Sequence, residues 1–173
     1  IKNYTNPYSI FDYEKIPALG GDLAVNNTKK QLLNNKPILL SARFPNNFEY
    51  SVQNDGNYSP SDSELNNVEN VLSRRNSGFS NDELNEFKKN NFDHAVTIIG
   101  YDDNIYGGAF RVVNSWGYQW GDDGYFWLKY KDFKILGYEA YVLDLLIDVN
   151  PKDKVQFSFD NYKRINYGNG ETY

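Results

Sequence analysis

Asn114-Ser115-Trp116-Gly117, followed at once by Trp120-Gly121 and Gly124-Tyr125, is the stretch on which the reading of this chain turns. Twenty residues before it stands Asp93-His94-Ala95-Val96, which holds the single histidine among 173 residues. A lone histidine is ordinarily structural, but its neighbours here argue for chemistry. His94 opens an apolar run, Ala95–Tyr101, predicted as a strand, which would put its ring at the mouth of a sheet. Asn114 closes another β-branched run, Arg111-Val112-Val113-Asn114. A neighbouring strand end would carry its amide alongside the ring. An asparagine oxygen accepts the proton of one ring nitrogen, which fixes tautomer and orientation and leaves the other nitrogen for a nucleophile. Trp116 and Trp120 are placed to shelter such a bond, which strengthens as water is excluded. All three tryptophans of the chain fall between 116 and 127.

Outward from this stretch the pattern is strand-rich. Ala109–Trp116, Gly124–Tyr130 and Tyr141–Val149 are β-branched or aromatic runs, and Val155–Phe159 is a last candidate strand. Asp102-Asp103-Asn104 and Asp122-Asp123-Gly124 read as turns, because neither has the spaced ligand series of a calcium loop. Upstream, residues 1–24 read as irregular around Pro7, Pro17 and Gly20-Gly21, with a short strand between Tyr8 and Ile16. Asn26 or Asn27 would cap a helix running to Asn35, with Leu32 and Leu33 inward and Lys29-Lys30 in water. Pro37 ends it, and Ile38–Phe44 follows as a mostly buried strand. The polar stretch Pro45–Asn91 has two short helices. One follows Ser61 or Ser63 with Leu65, Val68 and Leu72 inward; the other opens on the capping box Ser80-Asn81-Asp82-Glu83, with Leu84 and Phe87 on one face. Arg74-Arg75 reads as a solvated helix end. Helices first and several antiparallel strands after them give an α+β domain on a curled sheet.

Composition sets the limits. A chain of this length buries roughly two-thirds of its extended surface. The 40% hydrophobic and 17% aromatic residues argue against disorder despite a mean hydropathy of −0.70, much of which is asparagine. A net charge of −5 with scattered acids leaves no basic stripe for nucleic acid. No apolar run reaches the ~20 residues of a membrane span. With no cysteine at all, disulfides, thiolate metal sites and a thiol nucleophile are excluded from this chain. No metal and no cofactor are expected. The sequons at Asn3, Asn26 and Asn57 are read as coincidence in an asparagine-rich sequence.

Asp93-His94-Ala95-Val96, Ile99-Gly100-Tyr101, Asn114-Ser115-Trp116-Gly117, Trp120-Gly121 and Gly124-Tyr125 together closely resemble the C-terminal half of papain-like cysteine peptidases. Lys29–Ile38 is similar to the helix that leads into that family's buried strand, and Phe48-Glu49-Tyr50 to the aromatic segment after it. The resemblance spans about residues 25–147. It implies the right-hand domain of a two-domain enzyme, a curled antiparallel sheet or barrel with peripheral helices. His94 would then be the general base, Asn114 its orienting residue and Trp116 the shield, supported by Ser115 and Trp120. Asp93, Ser41 and Ala42 would border the substrate cleft. Orientation by a neutral amide suits a cysteine partner, whose thiolate–imidazolium pair needs less help than a serine does.

The departures from the family are equally specific. Its left-hand domain supplies an oxyanion-hole glutamine and a cysteine followed by tryptophan at a helix start; here there is no cysteine and no tryptophan before Trp116. No serine upstream of His94 stands in that context. The stretch from Tyr50 to Asp93 is longer than the family loop, and residues 150–173 have no recognisable counterpart. The expectation is therefore a C-terminal part of a peptidase, starting at a processed or cut end. Residues 1–24 would join the missing left-hand domain, 25–149 form the right-hand one, and 150–173 an extension. The partners would be the cysteine-bearing part and a peptide or protein substrate, and this chain alone would be inactive. The resemblance also implies a secreted or cell-surface location. Two other classes share these residues: a non-catalytic papain-fold binding or scaffolding module, and an acyl transferase.

Overall fold

The computed structural model describes residues 8–17, 20–73 and 80–147. In chain order these form β1 (Tyr8–Lys15), α1 (Asp22–Leu33), β2 (Ile38–Pro45), the single turn α2 (Phe48–Ser51), α3 (Asp62–Ser73), α4 (Asn81–Asn90), β3 (Asn91–Asp102), β4 (Ala109–Val113), β5 (Tyr125–Lys129), α5 (Tyr130–Leu136) and β6 (Gly137–Ile147). The chain divides into a main unit, residues 10–145, and a small unit from its two ends. Of the small unit, only 8–9 and 146–147, the outer ends of β1 and β6, are described. Arg74-Arg75 and the candidate strand Val155–Phe159 lie outside the described residues. Among the described residues no helix is long and apolar enough to cross a membrane.

Six strands make one sheet in the order β1-β6-β2-β3-β4-β5. β2 pairs antiparallel with β3 and β6, and β4 antiparallel with β3 and β5. The sheet does not close into a barrel, since β1 and β5 remain its two edges. Strand periodicity explains the placement of β2. Ile38, Leu40, Ala42 and Phe44 are fully buried on one face, while Leu39, Ser41 and Arg43 alternate onto the other. The buried face continues on β3 through Val96 and Ile98, on β4 through Phe110 and Val112, and on β5 through Phe126 and Leu128. Ala24 and Val25 of α1, Leu65 and Val68 of α3, and Phe133 and Leu136 of α5 join the same core.

The helices reward some local signals and override others. α4 opens on the full capping box: the Glu83 N–H donates to Ser80 Oγ, and the Ser80 N–H to Glu83 Oε2. Ser61 and Glu64 make a similar exchange at the start of α3, and Leu65 and Val68 face inward as expected. The side chains of Leu72 and Leu84 are outside the description. α1 starts at Asp22 rather than at Asn26 or Asn27, with Gly21 as a cap that offers no side-chain bond. The buried set Ala24, Val25 and Thr28 fixes its rotation. That rotation leaves Leu33 exposed and swings Lys29 onto Asp103, against the expected faces. Asp22 in the first turn is paired with Lys134 of α5, so tertiary contact favours the earlier start. β3 also starts earlier than expected, at Asn91, so His94 lies inside the strand and not at its mouth. The short helix α5 was not expected at all; its signal was only Phe133 and Leu136 three residues apart.

Candidate active site

The sheet register decides which groups meet His94. On β3 it shares a face with Phe92, Val96 and Ile98, and its cross-strand partner on β2 is Ala42. On β4 the residues of that face are Phe110 and Val112, so the next step of the alternation is Asn114, one residue past the strand. The two side chains meet there: the ring nitrogen Nε2 and Asn114 Oδ1 are 2.8 Å apart. The Ser115 backbone N–H donates to the same Oδ1 at 2.8 Å. Two nitrogens converge on one atom of the amide, so that atom is the oxygen and cannot donate. His94 must therefore carry a proton on Nε2, which leaves Nδ1 as the ring position outside this bond. Asn114 is 7% exposed, and its Nδ2 has no partner among the described residues. The bond is set in a partly buried site, where it is stronger than in water.

Aromatic rings enclose this bond. Trp116 stacks on the imidazole with centroids 5.0 Å apart and an interplanar angle of 25°. Phe92 and Phe44 approach the imidazole at 5.9 and 6.2 Å. Trp116 is also 38% exposed, so one side of the stack faces solvent. Trp120 meets Trp116 edge-on at 5.1 Å, and its Nε1–H donates to the Glu49 carbonyl at 2.9 Å. Beneath both lies Phe48, fully buried, whose ring contacts Trp116, Trp120, Phe44, Tyr58 and Phe126. The sequence marks Phe48 as part of an aromatic segment without revealing that it packs under Trp116 and Trp120.

The loop between β4 and β5 holds Asn114 in place by its neck. The Asn114 N–H donates to the Gly124 carbonyl at 2.9 Å, and the Gly124 N–H to the Trp120 carbonyl at 2.8 Å. Glycine is required at 121, where φ is +59° and a Cβ would lie 2.6 Å from the Tyr125 carbonyl oxygen.

The expected support and cleft residues divide. Ser115 contributes its backbone N–H; its side chain is exposed. Trp120 packs on Trp116 rather than on the ring. Asp93 and Ser41 lie on the opposite face of the sheet from His94, opposite Arg43 and Ala95 in register. Ala42 is a correction: at 0% exposure beneath His94 it has no surface with which to border a cleft. Asp93 forks onto Arg43, at 2.7 and 2.9 Å, and the guanidinium lies over Phe87 and Tyr138. The carboxylate nearest to His94 in the sequence is thus committed elsewhere, and a neutral amide holds the ring. Among the described residues, no three histidine, aspartate or glutamate side chains cluster as a metal site would require.

An imidazole held at Nε2 by Asn114 and covered by Trp116 is equipped to exchange a proton at Nδ1 with a group brought to it. The model of the papain family cysteine protease matches residues 5–143. The senescence-specific cysteine protease SAG12 of Arabidopsis thaliana is 46% identical over 43 residues, 24% of this chain and 12% of that protein. Xylellain, a cysteine protease from Xylella fastidiosa, superposes with a TM-score of 0.51 at 22% identity, over 79% of this chain and 40% of its own. The bromelain protease from Ananas comosus in complex with the E64 inhibitor gives 0.45 at 21%, over 78% and 50%. The chain therefore spans half or less of each of these relatives. With a family match over residues 5–143 that takes in β1, His94 on β3, Asn114 just past β4 and the start of β6, the chain belongs to the papain family of cysteine proteases.

Proposed function

We propose that this chain carries the base-bearing part of a cysteine peptidase site, and that a separate cysteine-bearing part completes it. The observation that carries the reading is the 2.8 Å contact from His94 Nε2 to Asn114 Oδ1 under the Trp116 ring. In the assembled site His94 Nδ1 takes the thiol proton, giving a thiolate–imidazolium pair. The thiolate attacks the peptide carbonyl, and the imidazolium returns its proton to the leaving amine. Water, deprotonated by His94, then hydrolyses the thioester and frees the thiol. Asn114 keeps Nδ1 aimed at the sulfur throughout, and Trp116 keeps water from competing for the Asn114 oxygen.

This chain alone has no peptidase activity on this reading. It holds no cysteine, and the absent oxyanion-hole donors are themselves worth about 10²–10³ in rate. Residues 1–24 lead from the cysteine-bearing domain, 25–149 form the His94–Asn114 domain, and 150–173 extend it. The substrate is a peptide or protein, and the family likeness supports a secreted or cell-surface location. The absence of cysteine supports one other reading, a binding module that keeps the fold without the reaction.

Treatment of native material with a thiol-directed epoxide, followed by intact mass measurement, separates the two. A labelled cysteine on a companion segment is expected, and its thiol-dependent peptide cleavage should fall at least about 10³-fold in His94→Ala. Native material without any cysteine, or thiol-dependent turnover by residues 1–173 alone, would overturn the proposal.

A further inference from the structure

β4 carries a buried charge that the catalytic reading does not use. Arg111 is 5% exposed, three residues before Asn114, on the face away from the core. Its guanidinium lies between the rings of Tyr125 and Trp127, 5.0 Å from each centroid, and Nη2 donates to Asp122 Oδ2. Asp122 stands at the far end of the loop that begins with Asn114. It exchanges backbone hydrogen bonds with Tyr125, both 3.0 Å, and lies two residues before Gly124, whose carbonyl accepts the Asn114 N–H. Behind the guanidinium is the 53–57 loop, pressed so close that a Cβ at Gly56 would stand 2.9 Å from Nη1. The Gly56 carbonyl in turn accepts the Trp127 N–H at 2.7 Å. One side chain therefore ties together β4, β5, the 53–57 loop and the neck of the loop that sets Asn114.

We propose that Arg111 is a positioning residue for the active site, acting through Asp122 to hold the Asn114 loop at the register where Asn114 Oδ1 meets His94 Nε2. The proposal rests on the reading of that pair as a catalytic site. Arginine suits the place for a physical reason. A planar, weakly hydrated guanidinium stacks between two rings and still donates in its own plane, which an ammonium cannot do. Without it, Asp122 turns to solvent and the Asn114–Gly124 bond loses its brace. The Asn114 oxygen then leaves the ring nitrogen more often.

Because His94 is the chain's single histidine, its ring N–H is directly identifiable in ¹H–¹⁵N spectra of the labelled 173-residue chain. The unsubstituted chain is expected to show a slowly exchanging Nε2–H. Arg111→Met, which keeps the stem between the rings, and the milder Asp122→Asn are each expected to shorten its lifetime by about tenfold or more. The two together should shorten it no further than Arg111→Met alone, and Arg111→Lys should restore part of it. Val68→Ala, which destabilises the α3 core away from the loop, should leave the lifetime unchanged. Wild-type lifetimes in Arg111→Met and Asp122→Asn, or an equal loss in Val68→Ala, would overturn the positioning role while leaving the active-site reading intact. A freely exchanging ring N–H in the unsubstituted chain would overturn that reading, and this proposal with it.

Discussion

Replacing Asp132 with asparagine is expected to stabilise the fold at neutral pH and to change little in acid. Asp132 is in the first turn of α5 and 1% exposed, and neither carboxylate oxygen has a hydrogen-bond partner among the described residues. Burial pushes its carboxyl above the ordinary 3.8; Lys131 and Lys129 oppose the shift, and Asp62 adds to it. The helix start favours the anion by only about 0.3–1 kcal/mol, less than the ~1–3 kcal/mol or more of an unsatisfied buried charge. The folded state thus holds a proton that the unfolded chain has lost above its own pKa. Stability contributed by that proton is complete below pH 3.8 and declines as pH rises through the raised folded value. Asparagine keeps the shape without the charge, so it should gain about 1–2 kcal/mol at pH 7. That corresponds to a Tm roughly 2–8 °C higher for a chain of this size. Thermal unfolding of both proteins at pH 3 and pH 7 reads the effect as a difference. The loss of charge on Asp22 and Asp103, held low by their hydrogen bonds to Lys134 and Lys29, cancels in that subtraction. A variant less stable at pH 7, or a difference that does not change with pH, would refute the reasoning.

Phe48→Ala should cost about 3–5 kcal/mol by leaving a cavity under Trp116 and Trp120; denaturant unfolding measures it, and a loss below 1 kcal/mol would show that the shield rests elsewhere. The same variant should weaken the near-ultraviolet circular dichroism of the packed indoles, and an unchanged spectrum would count against the prop. Ser80→Ala removes the capping box of α4 and should cost about 0.5–2 kcal/mol, with the loss of amide protection confined to residues 81–90. Gly121→Ala forces a Cβ against the Tyr125 carbonyl at positive φ and should destabilise by about 1–3 kcal/mol; a neutral effect on Tm would mean the loop shifts at no cost.

Where a signal is local, sequence and structure agree closely. The capping box at Ser80–Glu83 has the donors and acceptors of two helix-end bonds within four residues, and α4 begins there. The alternation of Ile38, Leu40, Ala42 and Phe44 is a strand with one buried face, and β2 is that strand. Where the deciding contact is distant, the reading drifts. α1 begins at Asp22 because Ala24, Val25 and Thr28 find a core assembled from strands far along the chain. α5 is too short to show a period, and Phe133 packing on Phe110 makes it a helix. The family resemblance groups Ala42 with Ser41 at the cleft, but the pleat turns the two to opposite faces and buries Ala42.

Sequence alone determined the chemistry on offer: one imidazole, one amide twenty residues later, indoles close behind, and no sulfur. Residue identity and spacing carry that information without any knowledge of the fold. Tertiary structure alone decided that the imidazole proton sits on Nε2, that Asp93 turns to Arg43 instead of to the ring, and that Phe48 and Arg111 brace the site from two sides. Those outcomes depend on the register between strands and on loops that close over them. Registry is settled by the packing of the whole core, so no window of neighbouring residues contains it.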